Sequence, residues 1–161
     1  QSPPFLAGFR QGAEHAADMQ AVIAWVRQHS GLPVWLVGTS RGTQSIAAVA
    51  TRLSRADGPD GLVVTATILT DPKAPPVTAM TLERLSIPVL VAHHELDACS
   101  HCAFSEMPKL MQKLDGLPRK QLLSFRDGVC RGDPCEAMAY HGFNGIEREV
   151  VGQIAGWMLD R

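Results

Sequence analysis

The sequence has almost no excess charge, few aromatic residues and no long apolar run, and each shortage excludes a class of function. The formal net charge is −1 over 161 residues, which argues against nucleic acid or an anionic membrane surface as the main partner. Aromatic residues make up 6% of the chain, so a large aromatic pocket is not indicated. The longest apolar segment, around residues 62–69, is interrupted by Thr65 and Thr67. A bilayer span needs roughly 20 apolar residues, so we expect no membrane span.

The chain also begins without an initiator methionine and without a recognisable signal peptide. Residues 1–4 lack a basic n-region and an apolar h-region. The missing methionine leads us to expect a processed, trimmed or cleaved product. The four cysteines lie in two close pairs, Cys99 with Cys102 and Cys130 with Cys135. An even, clustered set favours disulfides and an oxidising compartment. We therefore expect a periplasmic or secreted protein, and otherwise a cytoplasmic one.

Short apolar runs alternate with amphipathic segments along the chain. Helical spacing of apolar residues predicts helices, and short continuous apolar runs predict strands that are buried on both faces. The predicted helices cover residues 13–29, 43–54, 79–85, 105–114 and 144–159. The predicted strands cover residues 34–37, 62–70, 89–92 and 121–125. This alternation is typical of an α/β fold with a mostly parallel sheet flanked by helices, and we expect residues 1–161 to form a single domain.

A serine lies between two glycines where the first predicted strand gives way to a helix. The segment reads Gly38-Thr39-Ser40-Arg41-Gly42. A sharp strand-to-helix turn lifts the serine Oγ above the end of the sheet, and glycines permit the unusual backbone angles and close packing of such a turn. The turn also places backbone N–H groups of a helix N-terminus where an oxyanion would develop. We interpret Ser40 as a nucleophile; the alternative is an ordinary turn in which Ser40 caps the helix.

A serine hydroxyl is a weak nucleophile that needs a base, and six histidines are available. His141 follows the last predicted strand, and Asp97 follows the third. From residues 38–42 onward the chain resembles the α/β-hydrolase family, in particular lidless serine hydrolases of the dienelactone-hydrolase and carboxylesterase type. The resemblance implies a triad in the chain order serine, acid, histidine. Ser40, Asp97 and His141 match that order, and the backbone N–H of Arg41 would be one oxyanion donor.

Other charged residues near these positions leave alternatives open. Asp71 follows the second predicted strand and competes with Asp97 for the role of the acid, although an Asp-Pro pair commonly opens a turn. Glu95 is a further candidate for the acid if the loop turns differently. The side chain of Arg41 would either meet a carboxylate of the substrate or pair with a nearby acid.

Histidine, aspartate and cysteine residues crowd the segment 93–102, and such residues also suit zinc. The spacing Cys-x2-Cys is typical of structural zinc, and Cys130 and Cys135 would complete four ligands. We favour disulfides, because the triad uses Asp97 and adjacent histidines rarely bind one ion; we thus expect neither a metal nor an organic cofactor. The resemblance implies that the acid loop and the histidine loop lie side by side. A disulfide between the two cysteine pairs would join these loops, and bonds within each pair are the rival arrangement.

The chain also departs from the family it resembles. In that family several strands precede the nucleophile, whereas only 39 residues precede Ser40. A second oxyanion donor normally comes from a loop after the third strand, and that loop has no counterpart here. The stretch 70–88 is too short for a lid domain, which implies an open site for a small ester or an exposed ester of a bulkier substrate. We therefore expect the C-terminal part of a longer hydrolase, whose N-terminal strands are a missing segment or a companion chain.

These features together predict a serine hydrolase that cleaves an ester bond through an acyl-enzyme. Ser40 attacks the acyl carbonyl, His141 moves the proton and Asp97 orients His141. An acyltransferase would use the same triad. Two rivals come from other classes: a non-catalytic binding or interaction module derived from a hydrolase, and a zinc-stabilised domain. Covalent labelling of Ser40 and metal analysis distinguish these possibilities.

Overall fold

The computed structural model describes residues 6–160, in which four strands form one parallel sheet. The strands are β1 (Trp35–Thr39), β2 (Gly61–Thr65), β3 (Val89–His94) and β4 (Lys120–Phe125). They lie in the order β1-β2-β3-β4, and each neighbouring pair is parallel. All four carboxyl ends therefore meet at one edge of the sheet. The predicted α/β class with a parallel sheet is confirmed.

Helices flank the sheet, and connections of more than a dozen residues join its parallel strands. The α-helices are α1 (Ala7–Arg10), α2 (Ala13–Ser30), α3 (Arg41–Arg52), α4 (Met107–Lys113) and α5 (Glu147–Leu159). Short 3-10 turns cover Val77–Ala79, Leu82–Arg84, Phe104–Glu106 and Tyr140–Gly142. The first two of these turns stand where the sequence predicted one helix over residues 79–85. Across residues 6–160 no helix combines the length and the apolar character needed to cross a membrane.

The second strand is shorter than the sequence predicts. The apolar run was expected to form a strand over residues 62–70, but β2 ends at Thr65. The next residue, Ala66, has a φ of 43°, a backbone angle that turns the chain out of the ladder. Ile68 and Leu69 are nevertheless buried in the loop that follows. Their burial explains why the apolar pattern continues past the end of the strand.

The two central strands of the sheet are covered on both faces, which accounts for their continuous apolar runs. Every residue of β2 and β3 is buried. One face packs against α2, α3 and α4 and forms the main hydrophobic core. On β3, Val91 belongs to this core, whereas its neighbour Ala92 packs with Phe125, Phe143 and Val150 of a second cluster beneath α5. Adjacent residues of a strand point to opposite faces, so the alternation of Val91 and Ala92 places α5 on the other side of the sheet.

Strand β1 forms an outer edge of the sheet. Within residues 6–160 it pairs only with β2. Val37, in the middle of the strand, leaves 55% of its surface exposed. An apolar strand with one unpaired edge is a template for pairing with a further strand.

Candidate active site

Ser40 occupies a strained turn between β1 and α3. Its backbone angles are φ 51° and ψ −121°, a positive φ that costs on the order of 1–3 kcal/mol for a residue with a side chain. Backbone bonds hold the turn: the Ser40 N–H donates to the Thr65 carbonyl at 3.0 Å, and the Ser40 carbonyl accepts from the Thr43 N–H at 2.9 Å. The Ser40 side chain makes no capping hydrogen bond to α3. Ser40 thus stands at the N-cap position of α3 without the side-chain hydrogen bond by which a serine stabilises a helix start.

The two glycines of this turn have different roles. A Cβ at Gly38 would lie 2.6 Å from the carbonyl oxygen of Gly42 and 3.0 Å from the side chain of Ile46. Gly38 is therefore required for the end of the strand to approach the start of the helix. A Cβ at Gly42 would meet no atom within 4 Å. The expected steric need for glycine on both sides of Ser40 thus holds for Gly38 alone.

Asp97 and His141 meet at the carboxyl edge of the sheet. The carboxylate of Asp97 accepts a hydrogen bond at Oδ2 from His141 Nδ1, over 2.9 Å, and both residues are buried. Asp97 follows β3, and His141 lies in the 3-10 turn after β4. The other carboxylate oxygen accepts the Cys99 N–H at 2.9 Å, which holds the carboxylate in place. Because a carboxylate only accepts, Nδ1 carries the proton of this hydrogen bond, and in the neutral imidazole Nε2 is then the nitrogen with the lone pair.

The Nε2 atom of His141 is buried and has no hydrogen-bond partner among residues 6–160. The structure therefore brings Asp97 and His141 together, but it places no hydrogen bond between His141 and Ser40. Buried polar atoms are almost always paired, and an unpaired one calls for an explanation such as a catalytic role. Hydrogen bonds of catalytic groups are often long without substrate and tighten in the complex.

A second histidine, to which the sequence pattern gave no role in the triad, lies against the same carboxylate. His93 Nε2 is 3.7 Å from Asp97 Oδ2, and its nearer partner is the Cys102 carbonyl at 2.7 Å. Its Nδ1 accepts the Thr67 N–H at 3.3 Å. Burial lowers the pKa of His93 and so favours the neutral ring. Because Nε2 faces a carbonyl and Nδ1 accepts an N–H, the proton of that ring lies on Nε2. The sequence feature that could have identified His93 as part of the site is its position near the end of a fully buried strand.

Asp71, the competing acid, is bound by residues of α3. Its carboxylate pairs with Arg41 and accepts a hydrogen bond from Gln44 at 3.2 Å. Burial raises the pKa of Asp71, but hydrogen bonds from the Lys73 N–H, Arg41 and Gln44 outweigh burial and leave the pKa below its usual value. Of the two roles considered for the Arg41 side chain, the structure shows the pairing with a nearby acid.

Glu95 and the neighbouring histidines have partners away from His141. Glu95 forms an ion pair of 2.6 Å with Arg126, whose side chain is 78% exposed. His94 and His101 each bond to a backbone carbonyl. Of the three acids considered, Asp97 is the one whose carboxylate hydrogen-bonds to His141.

A disulfide joins the acid loop to the histidine loop. It links Cys99 to Cys135, 36 residues apart, so the bond forms between the two cysteine pairs and not within them. Closing a loop of this length stabilises a fold by about 4 kcal/mol in the chain-entropy model. The remaining thiols are Cys102, which is buried, and Cys130, which is exposed. Burial raises the pKa of the Cys102 thiol.

The fold is similar to that of several solved hydrolases. A cold-adapted esterase from an Arctic intertidal metagenomic library matches at a TM-score of 0.53 with 19% identity. The lidless α/β serine hydrolase XC6422 from Xanthomonas campestris matches at 0.51 with 20% identity, over 89% of this chain. A sugar hydrolase, YeeB, from Lactococcus lactis matches at 0.55 with 13% identity, over 96% of this chain. No protein-family model and no curated protein matches the sequence.

The chain is shorter than these proteins. The match with the Arctic esterase covers 71% of this chain and 47% of the esterase. The other two matches cover 58% of the Xanthomonas hydrolase and 72% of the Lactococcus hydrolase. The chain thus spans about half the length of the esterase. At identities of 13–20%, the structural similarity establishes the fold alone. The chain has an α/β-hydrolase-like fold and spans only part of it.

Proposed function

We propose that this chain carries the catalytic triad of a serine hydrolase that cleaves an ester bond. The observation that carries the proposal is the buried hydrogen bond of 2.9 Å between Asp97 and His141. It lies at the same edge of the sheet as Ser40, whose positive φ is typical of functional sites. Three solved hydrolases with this fold, one of them an esterase and another a serine hydrolase, support the reaction class.

The reaction follows from the roles of these groups. Ser40 Oγ attacks the acyl carbonyl while His141 Nε2 accepts the hydroxyl proton, and Asp97 stabilises the imidazolium that results. The backbone N–H of Arg41, the first residue of α3, donates to the oxyanion of the tetrahedral intermediate. His141 returns the proton to the leaving alcohol, and a water activated by His141 then cleaves the acyl-enzyme. This chemistry requires no metal or organic cofactor.

We assign the second oxyanion donor to a segment that pairs with the free edge of β1. The unpaired edge and the exposure of Val37 support this assignment, as does the partial coverage of the similar hydrolases. The segment would be the N-terminal part of the same protein or a companion chain. Loss of one oxyanion donor costs a factor of roughly 10² to 10³ in rate, so the completing segment should raise kcat by that factor. In this proposal residues 1–161 form a single domain that is the C-terminal part of the hydrolase core.

The proposed substrate is a small ester. Residues 66–88, between β2 and β3, contain two 3-10 turns and no α-helix, and this supports a site without a lid domain. An open site admits small soluble esters, or an ester exposed on a larger molecule. Acyl transfer uses the same triad, and product analysis with an added acceptor alcohol separates free acid from a new ester.

Labelling with a fluorophosphonate probe tests the proposal. The purified protein is reacted under non-reducing conditions, its intact mass is measured, and the adduct is located by peptide mapping. We expect one adduct on Ser40 and none in the Ser40→Ala variant. Ser45→Ala is the matched control, because Ser45 is a nearby serine that pairs with another histidine, His15, and its loss should leave labelling intact. A folded protein that takes no label would favour the non-catalytic binding module.

The Cys99–Cys135 disulfide supports an exported location, because disulfides persist in oxidising compartments. We propose a periplasmic or secreted protein. Acid quenching of cells, followed by alkylation of the free thiols under denaturing conditions that expose the buried Cys102, tests this proposal. Two alkylated cysteines per chain are expected for an exported protein, and four would place the protein in the cytoplasm.

A further inference from the structure

Side chains that bind metals converge beside the proposed triad. The Sγ atoms of Cys99 and Cys102 and a ring nitrogen of His141 all lie within 4.8 Å of one another, and all three residues are buried. The Sγ of Cys135 is bonded to that of Cys99, so a fourth donor adjoins the group. Three sulfurs and one imidazole make up a donor set typical of zinc sites.

We propose that reduction of the Cys99–Cys135 disulfide opens a site for a thiophilic divalent cation such as Zn²⁺, formed by Cys99, Cys102, Cys135 and His141. In the oxidised protein two of these sulfurs are bonded to each other, which leaves one thiol and one imidazole. The reduced protein offers four ligands. An ion bound there occupies His141 Nε2 and thereby inhibits the triad. This inhibition rests on the proposed function, whereas the binding of the ion does not.

The local backbone already holds the sulfurs in a suitable arrangement. The Cys102 N–H donates to the Cys99 carbonyl at 2.8 Å, so both thiols come from one tight turn. Tetrahedral zinc with Zn–S of about 2.3 Å and Zn–N of about 2.0 Å places its ligand atoms about 3.5 to 3.8 Å apart. The observed group, whose separations reach at most 4.8 Å, needs to contract by at most about 1.3 Å to reach tetrahedral geometry. Reduction of the Cys99–Cys135 bond frees the Cys99 side chain to rotate toward the other ligands.

The state of the His141 ring is an independent observation that favours a ligand. Its Nδ1 donates to Asp97, and its Nε2 is buried without a hydrogen-bond partner in the described part of the chain. Histidines that bind metals usually donate their other ring N–H to a carboxylate, which orients the ring and raises its basicity. The Asp97–His141 pair has that arrangement, with the lone pair of Nε2 available.

The oxidised and the reduced protein differ by two electrons and two protons, which an external dithiol supplies. A dithiol reductant attacks the disulfide, becomes a cyclic disulfide itself, and delivers two electrons and two protons to the sulfurs of Cys99 and Cys135. Zn²⁺ then displaces the protons of three thiols. Cys135 is partly exposed, whereas Cys99 and Cys102 are buried, so the reductant and the ion reach the site from the side of Cys135.

Titration with Co²⁺ tests the site without relying on activity. The protein is reduced with dithiothreitol, freed of reductant anaerobically, and titrated while the absorption bands of tetrahedral, thiolate-bound Co²⁺ are recorded. We expect one Co²⁺ per chain, displaced by Zn²⁺, and no such bands from the oxidised protein. Cys130→Ser is the matched control, because Cys130 is an exposed thiol outside the group, and it should keep the bands. Cys102→Ser should lose one of the three thiolate contributions.

Several results would overturn this proposal. One is a reduced protein that stays folded by circular dichroism and shows no tetrahedral Co²⁺ bands. Another is loss of the bands in Cys130→Ser, which would place the ion on the exposed loop. A third is unfolding on reduction that Zn²⁺ does not reverse. Ester hydrolysis by the reduced protein should stop with Zn²⁺ and return with a chelator; if the oxidised protein hydrolyses nothing, the proposed function fails while the Co²⁺ titration still decides the metal site.

Discussion

Replacing Gly38 by alanine should damage the Ser40 turn, whereas the same change at Gly42 should not. The new Cβ at position 38 would lie 2.6 Å from the carbonyl oxygen of Gly42, about 0.8 Å closer than ordinary contacts allow, and it would also press on the Ile46 side chain. The nearest atoms belong to the backbone, so a rotamer change cannot relieve the contact. The end of β1 and the start of α3 must therefore move apart, and Ser40 lies between them.

The expected magnitude follows from the cost of overpacking, which is typically about 1–3 kcal/mol. We take the upper end of that range for Gly38→Ala, because backbone opposes backbone. In a protein of this size each kcal/mol changes Tm by roughly 2–4 °C, so Tm should fall by about 6–12 °C. At Gly42 a Cβ finds open space, and alanine in a helix is favoured over glycine by roughly 0.5–1 kcal/mol. Gly42→Ala should therefore raise Tm by about 1–4 °C.

Thermal unfolding followed by circular dichroism measures both variants against the parent protein. The rate of ester hydrolysis is measured for the same three proteins, because a displacement of about 1 Å at a catalytic group can cost on the order of 10²-fold in rate. Gly38→Ala should lose kcat by that order. Equal Tm values for the two variants, or an unchanged Tm for Gly38→Ala, would refute the reasoning that the strand and helix are in tight contact.

Three further predictions concern the acid, the histidine turn and pH. Asp97→Asn should lower kcat by about 10⁴, as expected when the imidazole loses its orienting carboxylate, whereas Glu95→Gln should leave kcat within about twofold in the same steady-state assay. Gly142→Ala would place a Cβ 2.0 Å from the Ala137 carbonyl oxygen. The change should displace the turn that carries His141, the proposed base, and so lower kcat. Its control is Gly152→Ala, whose Cβ meets nothing within 4 Å and should stabilise α5 by up to about 1 kcal/mol in urea unfolding. Because the folded-state pKa of Asp71 is lowered, its stabilisation is present above about pH 4 and is lost as pH falls further. The difference in unfolding free energy between the parent protein and Asp71→Asn should therefore be larger at pH 7 than at pH 3; a difference that does not shrink at pH 3 would contradict the assignment.

Local patterns in the sequence predicted the sheet and the Ser40 turn. The apolar runs that became β2 and β3 are short and continuous, because a parallel strand covered on both faces has no polar side. The turn at Ser40 was also recognisable, because a strand-to-helix reversal places its demand for glycine within two residues of the serine, and Gly38 meets that demand. The end of β2 was missed because the loop after Ala66 buries Ile68 and Leu69 and so continues the apolar pattern.

The partners within the site depended on the tertiary structure. Asp97 and His141 are 44 residues apart in the chain and meet because β3 and β4 end at the same edge of the sheet. Residue types alone left Asp71 and Glu95 as competing acids, and they left the cysteine pairing open. A side chain's partner is set by the path of distant segments, which no local pattern encodes. The sequence by itself therefore determined where along the chain the four strands and the strained serine lie. Only the packing of the loops decided where β2 ends, which acid meets His141 and which cysteines are joined.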